Sequence, residues 1–348
     1  MVRGLAVYQA GLGLRVEVAC DPDGGLARSL TAAGVRVHPW RASRSPLSGL
    51  VDEIGAMARI VEDVHPDMTH LHGAKAGLVG RLVLRGRVRT VFEPHAWSWW
   101  ALRTGERWLA RAWEEYALRW TDQVVCLSRE EALAMPACWR RMTLGRNGVD
   151  TDYWAPRDRA GARRVLGMAS EGPVVVCAGR VCRQKGQDIL VKAFRRLLTS
   201  CPQARLVVVG GGPMLGRLRQ QAAGLPAMFP GMVADPRDWY AAADVVVSPS
   251  RWEGAALTVL EAAAMGRVVV ATNVGGVRDD QSLAVSVAPG DPVGLAEAMV
   301  SLLTDPARRN ALAVTARRTV LDRYVDRWAY AQLTEAVLGL ADAEAMAA

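Results

Sequence analysis

The amino-acid sequence predicts an α/β fold made of two doubly wound domains. Short apolar stretches alternate with amphipathic stretches of helical length, which is the pattern of parallel strands joined by helices on both faces of a sheet. This rhythm occurs twice, once on each side of a segment rich in turn-forming residues. At 348 residues the chain is long enough for two domains of ordinary size. We therefore expect two Rossmann-like domains facing a cleft, with ligands bound at the carboxyl ends of the strands.

The first half of the chain begins this alternation. Strands are predicted where short runs of β-branched and other apolar residues are bounded by turn residues, at 15–20, 35–39, 68–72, 88–92 and 124–128. Helices are predicted where apolar residues recur at helical spacing, at 24–33, 47–64, 74–85 and 106–120. We assign residues 1–145 to an N-terminal domain on the acceptor side and residues 146–160 to a linker.

The second half repeats the pattern. Its predicted strands are 174–178, 205–209, 244–248 and 268–272, and its predicted helices are 186–198, 214–224, 255–266, 292–303 and 305–324. Residues 161–325 form the predicted C-terminal domain. A final helix near 329–340, within the segment 326–348, is expected to pack back on the N-terminal domain.

Composition excludes several classes of protein. No stretch approaches the roughly 20 apolar residues that span a bilayer, and the N-terminus lacks the features of a signal peptide, so a cytoplasmic protein is expected. The six cysteines include no C-x-x-C pair, which predicts reduced structural thiols. The net charge of +8 rests on 40 arginines, eight of them interleaved with tryptophans at 81–120. That segment suits peripheral membrane contact or, equally, a helix core with a solvated basic face; no nucleic-acid partner is expected.

The segment around residues 249–261 contains the residues that best indicate a ligand-binding function. A buried strand ends at Pro249 and a helix is predicted to begin near Ala255, so its first backbone N–H groups form an anion site. Gly254 lets a diphosphate approach the backbone closely. Glu253 and Glu261 are eight positions apart, about 12 Å along a helix at ~1.5 Å per residue. This spacing matches a sugar and a ribose separated by a diphosphate.

Four segments in this order resemble the signature of family-4 retaining glycosyltransferases of the GT-B fold: 147–150, 179–186, 253–266 and 273–276. The resemblance covers about residues 5–330. It implies transfer of a sugar from a nucleotide-sugar, UDP-sugar rather than GDP-sugar, to a hydroxyl acceptor. It also implies retained anomeric configuration, with no cofactor and no essential metal. A basic pair would then stabilise the diphosphate leaving group.

The resemblance and the residue pattern together give the candidate site. The catalytic candidates are His95, Arg180, Lys185 and Glu253. The donor-binding candidates are Gly179, Val233, Gly254, Ala255, Ala256, Leu257, Thr258 and Glu261. The acceptor-side candidates are Lys75 and Trp97. By resemblance to members acting on lipid-linked or exopolysaccharide acceptors, Lys75 would meet an acceptor phosphate. An exposed lysine at a helix start explains it equally well.

No metal site is expected. Two D-x-D triplets, Asp21-Pro-Asp23 and Asp150-Thr-Asp152, lie in turn contexts where aspartate hydrogen-bonds the backbone. His70 and His72 project from one face of a strand, but with no third ligand nearby we interpret them as strand-end packing.

The start of the chain departs from the family pattern. The segment 5–16 resembles the family's first helix, so the preceding first strand and its glycine-rich turn are missing from the N-terminal domain. We expect the true start to lie upstream; the alternative is a truncated or inactive homologue acting as a partner subunit. A NAD-dependent oxidoreductase is a weaker alternative, because 210–215 lacks the last glycine of G-x-G-x-x-G.

Overall fold

A computed structural model describes residues 1–43, 48–102, 104–168 and 172–339. It divides into two compact units, one of residues 1–147 completed by the segment that starts at Asp326, and one of Gly148–Val325. Both units contain parallel sheets flanked by helices, which confirms the predicted fold class. The predicted start of one helix at 47 and the predicted end of the last helix at 340 lie outside the described residues.

The first unit contains two parallel sheets. One pairs β1 with β2, and the other has the order β3-β4-β5-β6. The strands are β1 (Glu17–Cys20), β2 (Arg36–Pro39), β3 (Met68–His72), β4 (Arg89–Glu93), β5 (Gln123–Cys126) and β6 (Met142–Leu144). The register of β3 and β4 places His72 directly opposite Glu93 at the carboxyl ends of both strands. Strand β6 was not predicted, because three residues give no readable alternation.

Helices connect these strands and cover the sheets. They are α1 (Val2–Gly11), α2 (Gly25–Ala32), α3 (Leu50–Val64), α4 (Gly73–Leu84), α5 (Thr104–Ala117) and α6 (Arg129–Leu133). Helix α4 lies very close to β4, because a Cβ atom at Gly77 would overlap the ring of Phe92. This close packing fixes β4 against the helix that follows β3.

The second unit contains one six-stranded parallel sheet with the order β12-β11-β10-β7-β8-β9. Its strands are β7 (Val174–Ala178), β8 (Arg205–Val209), β9 (Ala227–Gly231), β10 (Val245–Ser248), β11 (Val269–Thr272) and β12 (Val285–Val287). The order reverses between β7 and β10, so this is the topological switch point where such sheets bind ligands. The sequence did not predict β9, which contains proline and glycine, or the short β12.

Eight helices and two apolar cores enclose this sheet. The helices are α7 (Arg159–Val165), α8 (Gln187–Leu197), α9 (Leu215–Gln221), α10 (Arg237–Ala242), α11 (Leu257–Ala264), α12 (Gly276–Asp279), α13 (Pro292–Thr304) and α14 (Pro306–Arg323). Strands β7, β8 and β10 are continuous valine-rich runs, as expected for strands covered on both faces of a sheet.

The last helix, α15 (Asp326–Leu338), packs against α1 in the first unit. Three of its side chains join an apolar cluster with residues of α1, β4 and β5: Tyr330, Leu333 and Val337. The segment leading into α15 runs beside the start of the second unit, where the N–H of Val149 donates to the carbonyl of Tyr324 at 2.8 Å.

None of the described helices is both long enough and apolar enough to cross a membrane. All six cysteines are free thiols, as predicted.

Candidate active site

The loops after β7 and β10 meet at the switch point of the second unit. Gly186 has φ of +66°, and a Cβ atom there would overlap the carbonyl oxygen of Pro249. Glycine is therefore required for this approach. The N–H of Arg251 donates to the carbonyl of Gln184 at 2.7 Å, which joins the two loops a second time. The segments 179–186 and 249–256, far apart in sequence, thus form one surface.

Glu253 is the centre of this surface. Its side chain is buried, and Oε1 accepts hydrogen bonds from Nζ of Lys185 at 2.6 Å and from the hydroxyl of Ser250 at 2.7 Å. The amide of Gln184 approaches Oε2 at 3.5 Å. The carboxylate is therefore charge-balanced and held in a fixed orientation. The sequence motifs predict neither the ion pair of Glu253 with Lys185 nor its hydrogen bond with Ser250.

Helix α11 begins at Leu257, two residues later than predicted, with Ala256 as its N-cap. No side chain caps this end, so the first N–H groups of the helix can bind an anion. The segment from Gly254 to Ala256 is the loop that delivers the chain to this point. Leu257 and Thr258, predicted as donor contacts, form its first turn.

Glu261 lies on α11, where the hydroxyl of Tyr240 donates to its Oε2 at 3.0 Å. Burial raises the pKa of Glu261, and the Tyr240 hydrogen bond and the nearby charge of Lys185 oppose this effect. The hydrogen bond orients the carboxylate on the helix and uses one of its two oxygens.

The turn after β11 supports the Glu253 loop. Gly275 has φ of +53°, and a Cβ atom there would overlap the carbonyl oxygens of Glu253 and Gly254. The N–H of Gly276 donates to the carbonyl of Gly254 at 3.0 Å. Glycine is therefore required at position 275 by close backbone contact.

Three other predicted residues of this unit are Gly179, Arg180 and Val233. Arg180 is exposed, and no described residue forms an ion pair with its guanidinium; its carbonyl accepts from the amide of Gln187 at 3.1 Å. Gly179 has φ of +137° at the end of β7. Val233 follows β9 and packs against the apolar core.

In the first unit, His95 lies on a strained turn. His95 and Ala96 have φ of +52° and +92°, in the left-handed region that non-glycine residues rarely adopt. Glu131 stabilises the turn, because its carboxylate accepts the N–H groups of Ala96 and Leu127, each at 2.6 Å. Burial raises the pKa of Glu131 to about 7 despite these two hydrogen bonds.

Three imidazoles surround the buried carboxylate of Glu93. Nε2 of His70 and Nδ1 of His72 lie 3.2 and 3.4 Å from its Oε2, and Nδ1 of His95 lies 3.3 Å from its Oε1. Nε2 of His95 is 3.1 Å from Nδ1 of His72. Burial holds the pKa of His72 well below its usual value and also lowers that of His95.

The expectation that the His70–His72 pair has no third ligand nearby is therefore wrong. Strands β3 and β4 are adjacent, and their last residues bring Glu93 to the two histidines. The signal was present in the sequence as two predicted strands that each ended beside ionisable residues.

The two acceptor-side candidates, Lys75 and Trp97, form contacts within the first unit. Nζ of Lys75 forms an ion pair with the buried Glu53 at 2.8 Å, so Lys75 is not an exposed lysine at a helix start. Burial raises the pKa of Glu53, but hydrogen bonds from Lys75 and Ser43 outweigh it and the net shift is downward. Trp97 is buried, and its indole N–H donates to the carbonyl of Glu131 at 2.7 Å. The ring of Trp97 therefore belongs to the core, and its contact with an acceptor remains a prediction.

The two D-x-D triplets form turns. Oδ1 of Asp21 accepts the N–H of Asp23 at 3.1 Å. Oδ1 of Asp150 accepts the N–H groups of Asp152 at 3.1 Å and of Tyr153 at 2.8 Å. These carboxylates fold the backbone, as the turn interpretation predicted.

Known families match both units. The family described as "Glycosyl transferase 4-like domain" matches residues 1–142, and the family described as "Glycosyl transferases group 1" matches residues 172–305. The second match contains all the predicted donor-side residues.

Two curated relatives are similar over much of the chain. A D-inositol 3-phosphate glycosyltransferase of Catenulispora acidiphila is 34% identical over 279 residues, covering 71% of this chain and 66% of the relative. A GDP-mannose-dependent alpha-(1-6)-phosphatidylinositol monomannoside mannosyltransferase of Mycolicibacterium smegmatis is 36% identical over 213 residues, covering 56% of each. The chain thus spans 56 to 66% of the length of these relatives.

A solved structure shares the fold. HepE of Anabaena, in complex with UDP and glucose, matches with a TM-score of 0.83 at 21% identity. The match covers 97% of this chain and 95% of HepE. At this identity the likeness concerns the arrangement of helices and strands alone.

Proposed function

The chain belongs to the group 1 glycosyl transferases of the GT-B fold, and we propose that it transfers a sugar from a nucleotide-sugar donor to a hydroxyl group of an acceptor. The observation that carries this proposal is the cluster of Lys185, Ser250 and Glu253 at the switch point, beside the uncapped start of α11. It combines a compact cation, a fixed carboxylate and a set of backbone N–H donors.

Each part of the cluster has a role in binding the donor. The start of α11 would hold the diphosphate through N–H groups and the helix dipole. Lys185 would stabilise the negative charge that develops on the leaving diphosphate. Arg180, exposed and without an ion-pair partner among the described residues, would add a second positive charge. Glu253 would bind sugar hydroxyls and Glu261 the ribose.

Two finer points of mechanism belong to the proposal. We propose that the anomeric configuration is retained and that the positive charges of Lys185 and Arg180 take the place of an essential metal at the diphosphate. In the first unit, His95 would contact the transferred sugar. Its strained backbone, held by Glu131, fits a residue that must keep one orientation.

The names of the two relatives indicate which donors and acceptors should be tested. The expected preference for UDP-sugars over GDP-sugars receives no support from the relatives, because one of them is named as GDP-mannose-dependent. Both relatives named above carry a phosphorylated inositol in their names. A test should therefore include UDP- and GDP-sugars as donors and D-inositol 3-phosphate among the acceptors.

The proposal predicts a donor-side loss of function. The full chain is assayed for released UDP or GDP with a panel of donors, and donor binding is measured by calorimetry. Lys185→Ala is expected to lower turnover by a factor of about 100 to 1,000, the usual effect of removing one group that stabilises developing charge. Glu261→Ala is expected to weaken donor binding. Lys192→Ala, an exposed lysine on α8, is the matched control and should have no effect.

Each outcome decides between functions. Unchanged donor affinity and rate in both Lys185→Ala and Glu261→Ala would refute the assignment. Donor binding with no hydrolysis or transfer by the native chain would favour the partner-subunit alternative. Protection of the chain against heat by NAD but by no nucleotide-sugar would restore the oxidoreductase alternative.

A further inference from the structure

We propose that His70, His72 and Glu93 form a binding site for a divalent first-row transition metal, with Zn²⁺ the best-matched ion. The site lies in the first unit and consists of none of the donor-binding residues proposed above. Imidazole nitrogens with a carboxylate oxygen are a common zinc ligand set. Three protein ligands with one further position is the arrangement of zinc sites that keep an open coordination position.

The spacing of the ligand atoms fits one ion. In a tetrahedral site with bonds of about 2.0 to 2.1 Å, neighbouring ligand atoms lie about 3.3 to 3.4 Å apart. Nε2 of His70 and Nδ1 of His72 lie 3.2 and 3.4 Å from the same oxygen of Glu93. One ligand atom from each residue lies within 4.8 Å of the other two. These distances are therefore compatible with three ligands of a single ion.

The carboxylate of Glu93 lacks a satisfactory partner in the protein. It is fully buried, yet neither oxygen forms a hydrogen bond of acceptable geometry with a described residue. Nε2 of His70 is equally buried and unsatisfied. No described lysine or arginine forms an ion pair with Glu93. An isolated buried carboxylate is costly, whereas a metal ion would satisfy the carboxylate and the imidazole together.

The framework holding these ligands is rigid. His72 and Glu93 are directly opposite each other in the β3–β4 register, and His70 lies two positions earlier on the same face of β3. Preorganised ligands on adjacent strands lose little freedom when an ion binds. Nε2 of His95 lies next to the ligand set, 3.1 Å from Nδ1 of His72.

Metal titration of the intact, tag-free chain tests the site. After dialysis against a chelator, Zn²⁺ is titrated in competition with a chromophoric chelator, and Co²⁺ is added to a second sample for its visible d–d spectrum. We expect one Zn²⁺ per chain and the intense bands of four-coordinate Co²⁺. His70→Ala and His72→Ala should each weaken Zn²⁺ binding by about 100-fold or more.

A matched control uses the other histidine–carboxylate pair of the same unit. Nε2 of His38 lies 2.6 Å from Glu17, with no third ligand in a described metal-ligand group. His38→Ala should leave Zn²⁺ affinity unchanged. Circular dichroism verifies that each variant folds. If the histidine variants fail to fold, protection of His70 and His72 from diethylpyrocarbonate by Zn²⁺ in the native chain, with His38 still modified, supports the site.

Three results would overturn the proposal. The first is a native chain that does not bind Zn²⁺ with one-to-one stoichiometry. The second is equal Zn²⁺ affinity in folded His72→Ala and in the native chain. The third is equal modification of His70 and His72 with and without Zn²⁺. A failed donor assay would not affect these readouts, because they require no transferase activity.

Discussion

Glu253 and Glu93 are both buried carboxylates at the carboxyl ends of parallel sheets, but their surroundings differ. Glu253 accepts hydrogen bonds from an ammonium group and a hydroxyl group. Glu93 is surrounded by three imidazoles and forms no hydrogen bond of acceptable geometry with a described residue. A carboxylate of the first kind is balanced by the protein and ready for a substrate. One of the second kind indicates that a cation completes the site.

Glu131 is a third buried carboxylate, which accepts hydrogen bonds but has no cationic partner among the described residues. Glu131 accepts two backbone N–H groups, and burial still raises its pKa to about 7, with the charge of Glu93 contributing in the same direction. The folded pKa exceeds the ordinary value of 4.5, so the folded state binds the proton more tightly. Protonation of Glu131 therefore stabilises the folded state fully below pH 4.5, and this stabilisation is lost as pH rises through the folded pKa of about 7.

Of the three stability changes expected for these carboxylates, the pH dependence at Glu131 is the largest. Between about pH 5 and pH 8 the native chain should lose on the order of 2.5 kcal/mol of unfolding free energy relative to Glu131→Gln. The variant is less stable overall, because its amide nitrogen faces a backbone N–H, but it lacks this pH dependence. Urea unfolding of both proteins across the range measures the slope. Parallel curves would show that burial does not govern Glu131.

Removing the cation that balances the Glu253 carboxylate should destabilise the folded protein. Lys185→Met keeps the apolar stem but leaves Glu253 buried without its ammonium partner. We expect a loss of about 2 kcal/mol in unfolding free energy, because an unpaired buried charge is destabilising. Adding Glu253→Gln should recover most of the stability without restoring transfer.

The measurement is urea unfolding of the single and double variants, with activity followed in parallel. Equal stability of Lys185→Met and the native chain would mean that Glu253 does not need its ion pair. Recovery of transfer in the double variant would contradict the role proposed for Lys185.

The smallest effect should have opposite signs at the two carboxylates. In metal-free protein near pH 8, Glu93→Gln removes an unsatisfied buried charge and should raise the unfolding free energy by about 1 kcal/mol. Glu253→Gln should lower it by a similar amount, because the new amide weakens the interaction with Lys185. Thermal melts in chelator measure both. The same sign at both sites would remove the distinction drawn between them.

The sequence predicts strands most closely where the local run of residue types determines the structure. The valine runs of β7, β10 and β11 mark strands buried on both faces, so their positions could be predicted closely. Strand β9 was missed because Pro230 and Gly231 resemble a turn, and its strand conformation depends on pairing with β8.

The difference between features set by local sequence and features set by tertiary contacts also applies to the candidate sites. Lys185 and Glu253 could be selected as candidates from two local motifs, but their ion pair is seen only in the structure. The contacts of Lys75 with Glu53 and of Trp97 with Glu131 could not be predicted, because the partners are distant in sequence and only the tertiary fold brings them together. Glu93 differs, because the sequence predicts the two strands that end beside it and beside His72, although not their pairing.

The return of α15 to α1 determines the order in which the protein can be assembled during translation. Residues 148–325 form one uninterrupted stretch, so the second unit has all of its strands once that stretch has left the ribosome. The first unit is synthesised earlier, but its apolar cluster around Leu5 lacks Tyr330, Leu333 and Val337 until α15 has been synthesised. The first unit can therefore be completed only after the whole of the second unit has been translated.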